Sequence, residues 1–277
     1  MKIGFIGTGS MGTILVQSLI KSGACHPNQI LIFNRTRKKA ERLQEQYPDI
    51  LIPRTAQELA SQADVIFLCI KPLEYKNVID EIVSCTRSEQ IVISITSPVW
   101  IEHLEDQLPC KIVKVIPSIT NYARSGASLC MFSQRLTEED RLQVFSLLSA
   151  ISEPLEINEN YTRISSDLSS CGPAFLAFFV QQLIQAAVDH TGISREEATR
   201  LASEMVLGTG KLLTSEGFTP DTLIEKVSVP GGITAEAIRF MDHRLEGMFD
   251  QLIMKTHAKY DEDVEKVEAM IYGTKVD

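Results

Sequence analysis

Short, mostly apolar runs punctuate the first 157 residues. Residues 2–6, 30–33, 65–70, 90–96 and 111–116 carry Ile, Val, Leu or Phe at most positions. Runs of that length and composition predict strands buried on both faces of a sheet. Residues 127–132 and 153–157 extend the series. Between the runs the period changes. Ile14, Leu15, Ser18 and Leu19 recur at helical spacing, and residues 39–47, 75–85 and 99–107 read as helices. Gly23 and Pro27 end the first helix, and Pro72 and Pro117 stop strands. Thr137-Glu138-Glu139-Asp140 resembles a capping box that opens a helix to Ile151. Strands alternating with helices predict an α/β fold with a doubly wound parallel sheet. Its binding edge would lie at the carboxyl ends of the strands.

The pattern changes near Asn158, and no strand signal follows. Residues 176–188 are apolar nearly all round, which suits a helix buried on every side, at a core or a subunit interface. Ser194 can cap a helix through Leu213, with Ala198, Leu201, Ala202 and Met205 on one stripe. Pro220 stands where a first helical turn is expected. Val229-Pro230-Gly231-Gly232 breaks the chain, and residues 245–269 read as a long amphipathic helix. Two domains are expected: residues 1–157, and an all-α domain of residues 158–277.

Composition narrows the function. Of 277 residues, 44% are hydrophobic and 23% charged, as in a globular protein with a sizeable core. The net charge of −9 argues against a broad nucleic-acid-binding face or an anionic-membrane face, so neither partner is expected. No apolar run reaches the roughly 18–20 residues of a bilayer span. The chain enters its first strand directly, without a signal-peptide pattern. Six cysteines (25, 69, 85, 110, 130 and 171) include no C-x-x-C, which predicts free thiols in a reducing cytoplasm. The five histidines show no ligand spacing, so no metal is expected.

The clearest chemistry lies at the start. Gly7-Thr8-Gly9-Ser10-Met11-Gly12 follows an apolar strand and opens a helix, the context in which G-x-G-x-x-G binds a dinucleotide. Gly7 would permit the turn, Gly9 the approach of a pyrophosphate, and Gly12 close packing of helix and strand. The helix offers its free N–H groups to the phosphates. Asn34-Arg35-Thr36-Arg37-Lys38 ends the second strand, where NAD-binding units place Asp or Glu. With no carboxylate there to repel a 2′-phosphate, and a guanidinium, a hydroxyl and further positive charge to attract one, NADP(H) is the expected cofactor. Lys71-Pro72, at the end of the third strand, either borders the cofactor or only terminates the strand.

Taken in order, these motifs and two more resemble the pyrroline-5-carboxylate reductases over nearly the whole chain. The two are Ser169-Ser170-Cys171-Gly172-Pro173-Ala174 and Val229-Pro230-Gly231-Gly232-Ile233-Thr234. Within that family the chain most resembles a divergent branch encoded in late-competence operons. The resemblance implies a Rossmann domain, a helical domain interlocked in a homodimer or higher homo-oligomer, and NADPH-dependent reduction of a cyclic imino acid to L-proline. It implies cofactor contacts at Gly7, Thr8, Gly9, Ser10, Met11, Gly12, Asn34, Arg35, Thr36, Lys71 and Pro72. It places substrate at Ser169, Cys171, Val229, Gly231 and Gly232, with Thr234 as the catalytic hydroxyl. The family usually has Ser-Gly-Ser-Gly-Pro-Ala and Ser-Pro-Gly-Gly-x-Thr, so Cys171 and Val229 are departures. Ser118-Ile119-Thr120 and Ser94-Ile95-Thr96-Ser97-Pro98 depart too. Read from the residues alone, Pro-Gly-Gly-x-Thr also suits a plain helix cap. Ser169 also suits a polar group on a helix, and Cys171 a small packing residue. Two functions are therefore expected: a reductase with altered substrate motifs, or an NADP(H)-binding accessory protein of competence or sporulation with little turnover.

Overall fold

The apolar runs form strands because both faces of each are covered, except at the last, Glu153–Glu156, an exposed edge strand. In the computed structural model, which describes residues 1–273, they are β1 (Ile3–Ile6), β2 (Ile30–Phe33), β3 (Val65–Leu68), β4 (Ile91–Ser94), β5 (Lys111–Ile116), β6 (Ala127–Phe132) and β7 (Glu153–Glu156). They make one sheet in the order β2-β1-β3-β4-β5-β6-β7. β1 is central to the binding edge, with Ile3 paired to Ile30 on one side and Val65 on the other. Every neighbouring pair is parallel except β5 and β6. The ten residues between those strands cannot carry a crossover helix, so the chain turns back on itself.

Helices α1 (Ser10–Lys21), α2 (Arg37–Gln46), α3 (Ala56–Gln62), α4 (Tyr75–Ile82), α5 (Ile101–Glu105) and α6 (Glu138–Ser149) cover the sheet. One face packs Phe5, Ile32, Phe67 and Val113 against Leu15 and Leu19 of α1 and Leu148 of α6, with Phe5 stacked on Phe67 at 4.8 Å. The other packs Leu31, Ile66 and Val92 against Leu59, Ile79 and Leu104. The sequence pattern does not announce α3, whose only large apolar residue is Leu59. Its cap forms it: Thr55 Oγ1 accepts from Glu58 N, and the Glu58 carboxylate accepts from Arg54 N.

The second half is helical, with α7 (Thr162–Ser166), a π-helical turn Asp167–Cys171, α8 (Gly172–Thr191), α9 (Arg195–Ser215), α10 (Pro220–Val227), α11 (Ile233–Leu245) and α12 (Met248–Tyr272). Gly247, at φ +71, separates α11 from α12, so the tail helix begins later than residue 245 and runs to Tyr272. The chain divides into two compact units, Ala174–Met254 and a larger one from Met1 to Pro173 that also takes the C-terminal stretch from Lys255. This differs from the expected division after residue 157. The cause is apolar burial: Val267 and Ile271 of α12 complete the core on the α3–α5 face of the sheet. Among the described residues, one helix, Glu159–Thr191, is long and apolar enough, by length and composition alone, to span a bilayer.

A buried ion pair joins the start of the helical half to the sheet. Lys114 on β5 is wholly buried, with its ammonium 3.1 Å from Glu159 Oε1 and 5.3 Å above the Trp100 ring. Glu159 also accepts from Ile101 N. Burial pushes the Lys114 pKa down, and Glu159 opposes the shift. Removing one partner of such a pair leaves a buried charge without compensation. Glu159→Gln should therefore destabilise the protein by about 3–5 kcal/mol at neutral pH. It should also lower the Lys114 pKa further. The unfolded chain keeps its proton up to 10.5 while the native state sheds it earlier, so stability gains as pH rises through that window. Urea midpoints at pH 7 and about 9.5 should converge between wild type and variant. A constant difference would show that Lys114 stays charged.

Candidate nucleotide and substrate sites

The glycine turn is fixed by steric limits. Gly7 has φ +100, and a Cβ there would lie 2.3 Å from Cys69 O. A Cβ on Gly12 would lie 2.3 Å from Gly7 O and 3.0 Å from Cys69 Cβ. Gly7 N donates to Phe33 O and Cys69 N to Ile6 O, so the turn is held between the ends of β2 and β3. Helix α1 then starts with Gly9 as N-cap and no side-chain cap bond. Its first N–H groups, from Ser10, Met11 and Gly12, remain open. Above them nothing lies within 4 Å of a Cβ placed on Gly9. The Thr8 hydroxyl is buried without a partner. An open backbone, an orphaned donor and a helix N-terminus together fit a pyrophosphate. Lys39 and Arg42 of α2 line the same cleft, of about 490 Å³.

A second cleft, of about 600 Å³, lies at the ends of β2 and β3. Asn34 shapes its wall. Its Oδ1 accepts from Thr8 N at 3.0 Å and its Nδ2 donates to Thr36 O at 3.0 Å, so both ends of the amide are spent on the loop. Thr36 is the N-cap of α2, yet its hydroxyl makes no cap bond, which leaves hydroxyl and helix terminus open to an anion. Arg35 is exposed, and its Nη2 stands 3.1 Å from Glu74 Oε1. This corrects the expectation that no carboxylate faces a 2′-phosphate. Glu74 arrives from the 3₁₀ turn Pro72–Glu74 after β3, which Pro72 opens and Lys71 precedes. Lys71 lines the cleft.

Ser169 and Cys171 lie in the π-helical turn of the larger unit. The Ser169 hydroxyl donates to Ser165 O, and its carbonyl accepts from Ser118 Oγ at 3.0 Å. The buried Ser118 and Asn121 thus tie the loop after β5 to this turn, with Asn121 Oδ1 accepting from Ser118 N. Cys171 Sγ accepts from Arg163 Nη2 at 3.2 Å, and the same nitrogen is 2.8 Å from Asp167 Oδ1. Its sulfur is held by a structural ion pair.

Val229, Gly231, Gly232 and Thr234 belong to the smaller unit. Gly231 has φ +76 and Gly232 N donates to Val229 O at 2.9 Å, a turn that requires glycine at its third position. Gly232 N–H is therefore not free for a substrate carboxylate. The open donors are the N–H groups of Gly231, Ile233, Thr234 and Ala235. Gly232 caps α11, so Thr234 is not a cap, and its hydroxyl has no partner among the described residues. Val229 is exposed and supplies no donor. Beside it, Ser228 carries a buried hydroxyl without a partner.

Reading the sequence missed Lys39, Arg42, Glu74 and Ser228. Lys39 and Arg42 follow Thr36 at helical spacing, a signal that was present. Glu74 meets Arg35 only through the sheet, so no local signal existed. Among the described residues, no group of three or more His, Cys, Asp or Glu is placed to hold a metal ion.

Comparison with known proteins agrees with the two halves. A family model described as pyrroline-5-carboxylate reductase dimerisation matches residues 159–263. One described as NADP oxidoreductase, coenzyme F420-dependent, matches residues 2–98. The chain is 42% identical to ComE operon protein 4 of Bacillus subtilis over 272 residues, covering 98% of this chain and 100% of that protein. It is 31% identical to a pyrroline-5-carboxylate reductase of Escherichia coli, covering 88% of this chain and 90% of that enzyme. The structure of Plasmodium falciparum pyrroline carboxylate reductase with NADP bound superposes with a TM-score of 0.81 at 25% identity, covering 98% of each chain.

The two glycines that differ most in surroundings separate folding from binding. Gly12→Ala should cost about 1–3 kcal/mol, because backbone must move. Gly9→Ala meets open space at φ −72 and should leave the thermal midpoint within about 2 °C. It should nonetheless weaken NADPH by about ten- to a hundredfold, because the new Cβ stands where the pyrophosphate approaches and keeps it from its charge-assisted bond to the open N–H groups. Unchanged NADPH affinity in a folded Gly9→Ala protein would place the pyrophosphate elsewhere.

Proposed function

The chain belongs to the pyrroline-5-carboxylate reductase family, and on that premise we propose that it is an NADPH-dependent reductase of pyrroline-5-carboxylate or a close cyclic imino acid, with turnover restrained by its altered substrate turn. The observation that carries the proposal is the contrast between the two sites. The glycine cradle keeps every feature a dinucleotide needs, down to the orphaned Thr8 hydroxyl. The Val229–Gly232 turn keeps its backbone but has lost a donor.

The residues divide the work. The α1 N-terminus and Thr8 take the pyrophosphate, and Arg35, Thr36 and Lys39 take the 2′-phosphate. When bound, NADPH supplies the hydride that reduces the imine carbon. The N–H groups of Gly231, Ile233 and Thr234 meet the substrate carboxylate. The Thr234 hydroxyl, free of any cap duty, hydrogen-bonds the imine nitrogen and orients its proton. Ser169 and Cys171 border the substrate, with Cys171 tethered to Arg163. A second reading, an NADP(H)-binding accessory protein of competence with little turnover, draws on the higher identity to ComE operon protein 4 and on the apolar Val229. Under either reading the protein works in the cytoplasm, where its six free thiols persist.

A second copy of the chain completes the smaller unit. Its buried core is the small cluster of Ile184, Ala198 and Ala202, while Leu176, Phe178, Leu183, Leu201, Met205 and Phe240 are exposed. Apolar surface of that extent calls for a partner subunit. Sedimentation at micromolar concentration should find a dimer or larger, and a stable monomer would refute this assembly.

Kinetics test the proposal itself. The wild type should oxidise NADPH with pyrroline-5-carboxylate slowly. Val229→Ser restores a donor to the substrate turn and should raise kcat/KM by about ten- to a hundredfold. Adding Cys171→Ser should raise it further, with NADPH affinity unchanged. Wild-type rates matching a biosynthetic reductase would show that Val229 is no handicap. Inactive wild type and variants alike would favour the accessory reading.

A further inference from the structure

The cleft between β2 and β3 is balanced in charge. Arg35, Lys39 and Lys71 share its walls with Glu74, Asp80 and Glu81. Asp80 is paired with Lys76 along α4. Glu74 instead points across the cleft to Arg35, at 3.1 Å. The contact is not needed to hold the fold. Arg35 is 86% exposed and Glu74 37%, the regime in which an ion pair contributes little stability. The position of Glu74 is nevertheless built in. Glu74 N donates to Lys71 O in a turn that Pro72 opens. The next residue, Tyr75, is wholly buried, with its hydroxyl bonded to Leu68 O, Ser94 Oγ and Thr96 Oγ1. A rigid anchor thus presents a carboxylate to the guanidinium assigned to the 2′-phosphate.

We propose that Glu74 is a selectivity residue that competes with the 2′-phosphate for Arg35 and narrows the preference for NADPH over NADH. The inference rests on the reading that Arg35, Thr36 and Lys39 hold that phosphate. A 2′-phosphate arriving at Arg35 must share or displace Glu74, and either way two anions meet at one guanidinium. NADH carries a ribose hydroxyl at that position and leaves the pair intact. Glu74 therefore acts against one cofactor and not the other, whereas a general excess of negative charge would act on both.

The test is equilibrium binding of NADPH and NADH, followed by nicotinamide fluorescence, to the full-length wild type, Glu74→Gln and Arg35→Ala. Glu74→Gln removes only charge at a partly exposed site. It should tighten NADPH about three- to fivefold and leave NADH within about twofold. Arg35→Ala should weaken NADPH selectively. If Arg35→Ala weakens NADPH but Glu74→Gln leaves the NADPH-to-NADH ratio unchanged, or tightens both cofactors equally, the role of Glu74 is overturned and the phosphate site stands. If Arg35→Ala leaves the ratio unchanged, the phosphate site itself falls, and this inference with it.

Discussion

The contact between the Gly7–Gly12 turn and the end of β3 sets the geometry of the whole binding edge. A single methyl group on Gly7 or Gly12 would come within 2.3 Å of a backbone oxygen. That limit brings the α1 N-terminus against the sheet edge, so its open N–H groups face the clefts that end β1, β2 and β3. Asn34 carries the constraint onward by bonding Thr8 N and Thr36 O, which sets the loop that bears Arg35. Tyr75 carries it the other way, fixing the turn that bears Glu74. A backbone limit thus positions charged side chains that are themselves exposed.

The helical half obeys a different rule. Its helices are apolar on more faces than one chain can cover, so the smaller unit has few buried side chains of its own. What anchors the helical half within the larger unit is specific instead: Glu159 on the buried Lys114, and Val267 and Ile271 in the sheet core. The Val229–Gly232 turn and Thr234, which we propose as the substrate site, sit on this less self-sufficient half and depend on local backbone geometry.

Much of this was legible in the sequence because its causes are local. Continuous apolar runs at β1, β2 and β3 mark strands with both faces covered, and the glycine spacing marks the turn. The caps at Ser194 and Thr137 could be read from residue type and hold in the structure, with Ser194 Oγ accepting from Glu197 N and Thr137 Oγ1 from Asp140 N. What could not be read depends on where distant segments meet. The apolar pair Val267 and Ile271 has helical spacing, but nothing local says that it returns to the sheet. That Gly232 N–H is spent on Val229 O could not be read, because this turn closure depends on the φ of Gly231. Glu74 stood 39 positions from Arg35, so only the parallel pairing of β1 with β2 and β3 brings them together.

The proposed combination of an intact cofactor cradle and an impaired substrate turn makes hydride transfer, and not product release, the step that limits turnover. The most direct measurement mixes protein preloaded with NADPH against pyrroline-5-carboxylate and follows the absorbance of the reduced nicotinamide through one turnover. A slow single exponential without a burst is expected, slowed further when the transferred hydrogen is deuterium. A fast burst insensitive to deuterium, followed by a slow steady state, would contradict it.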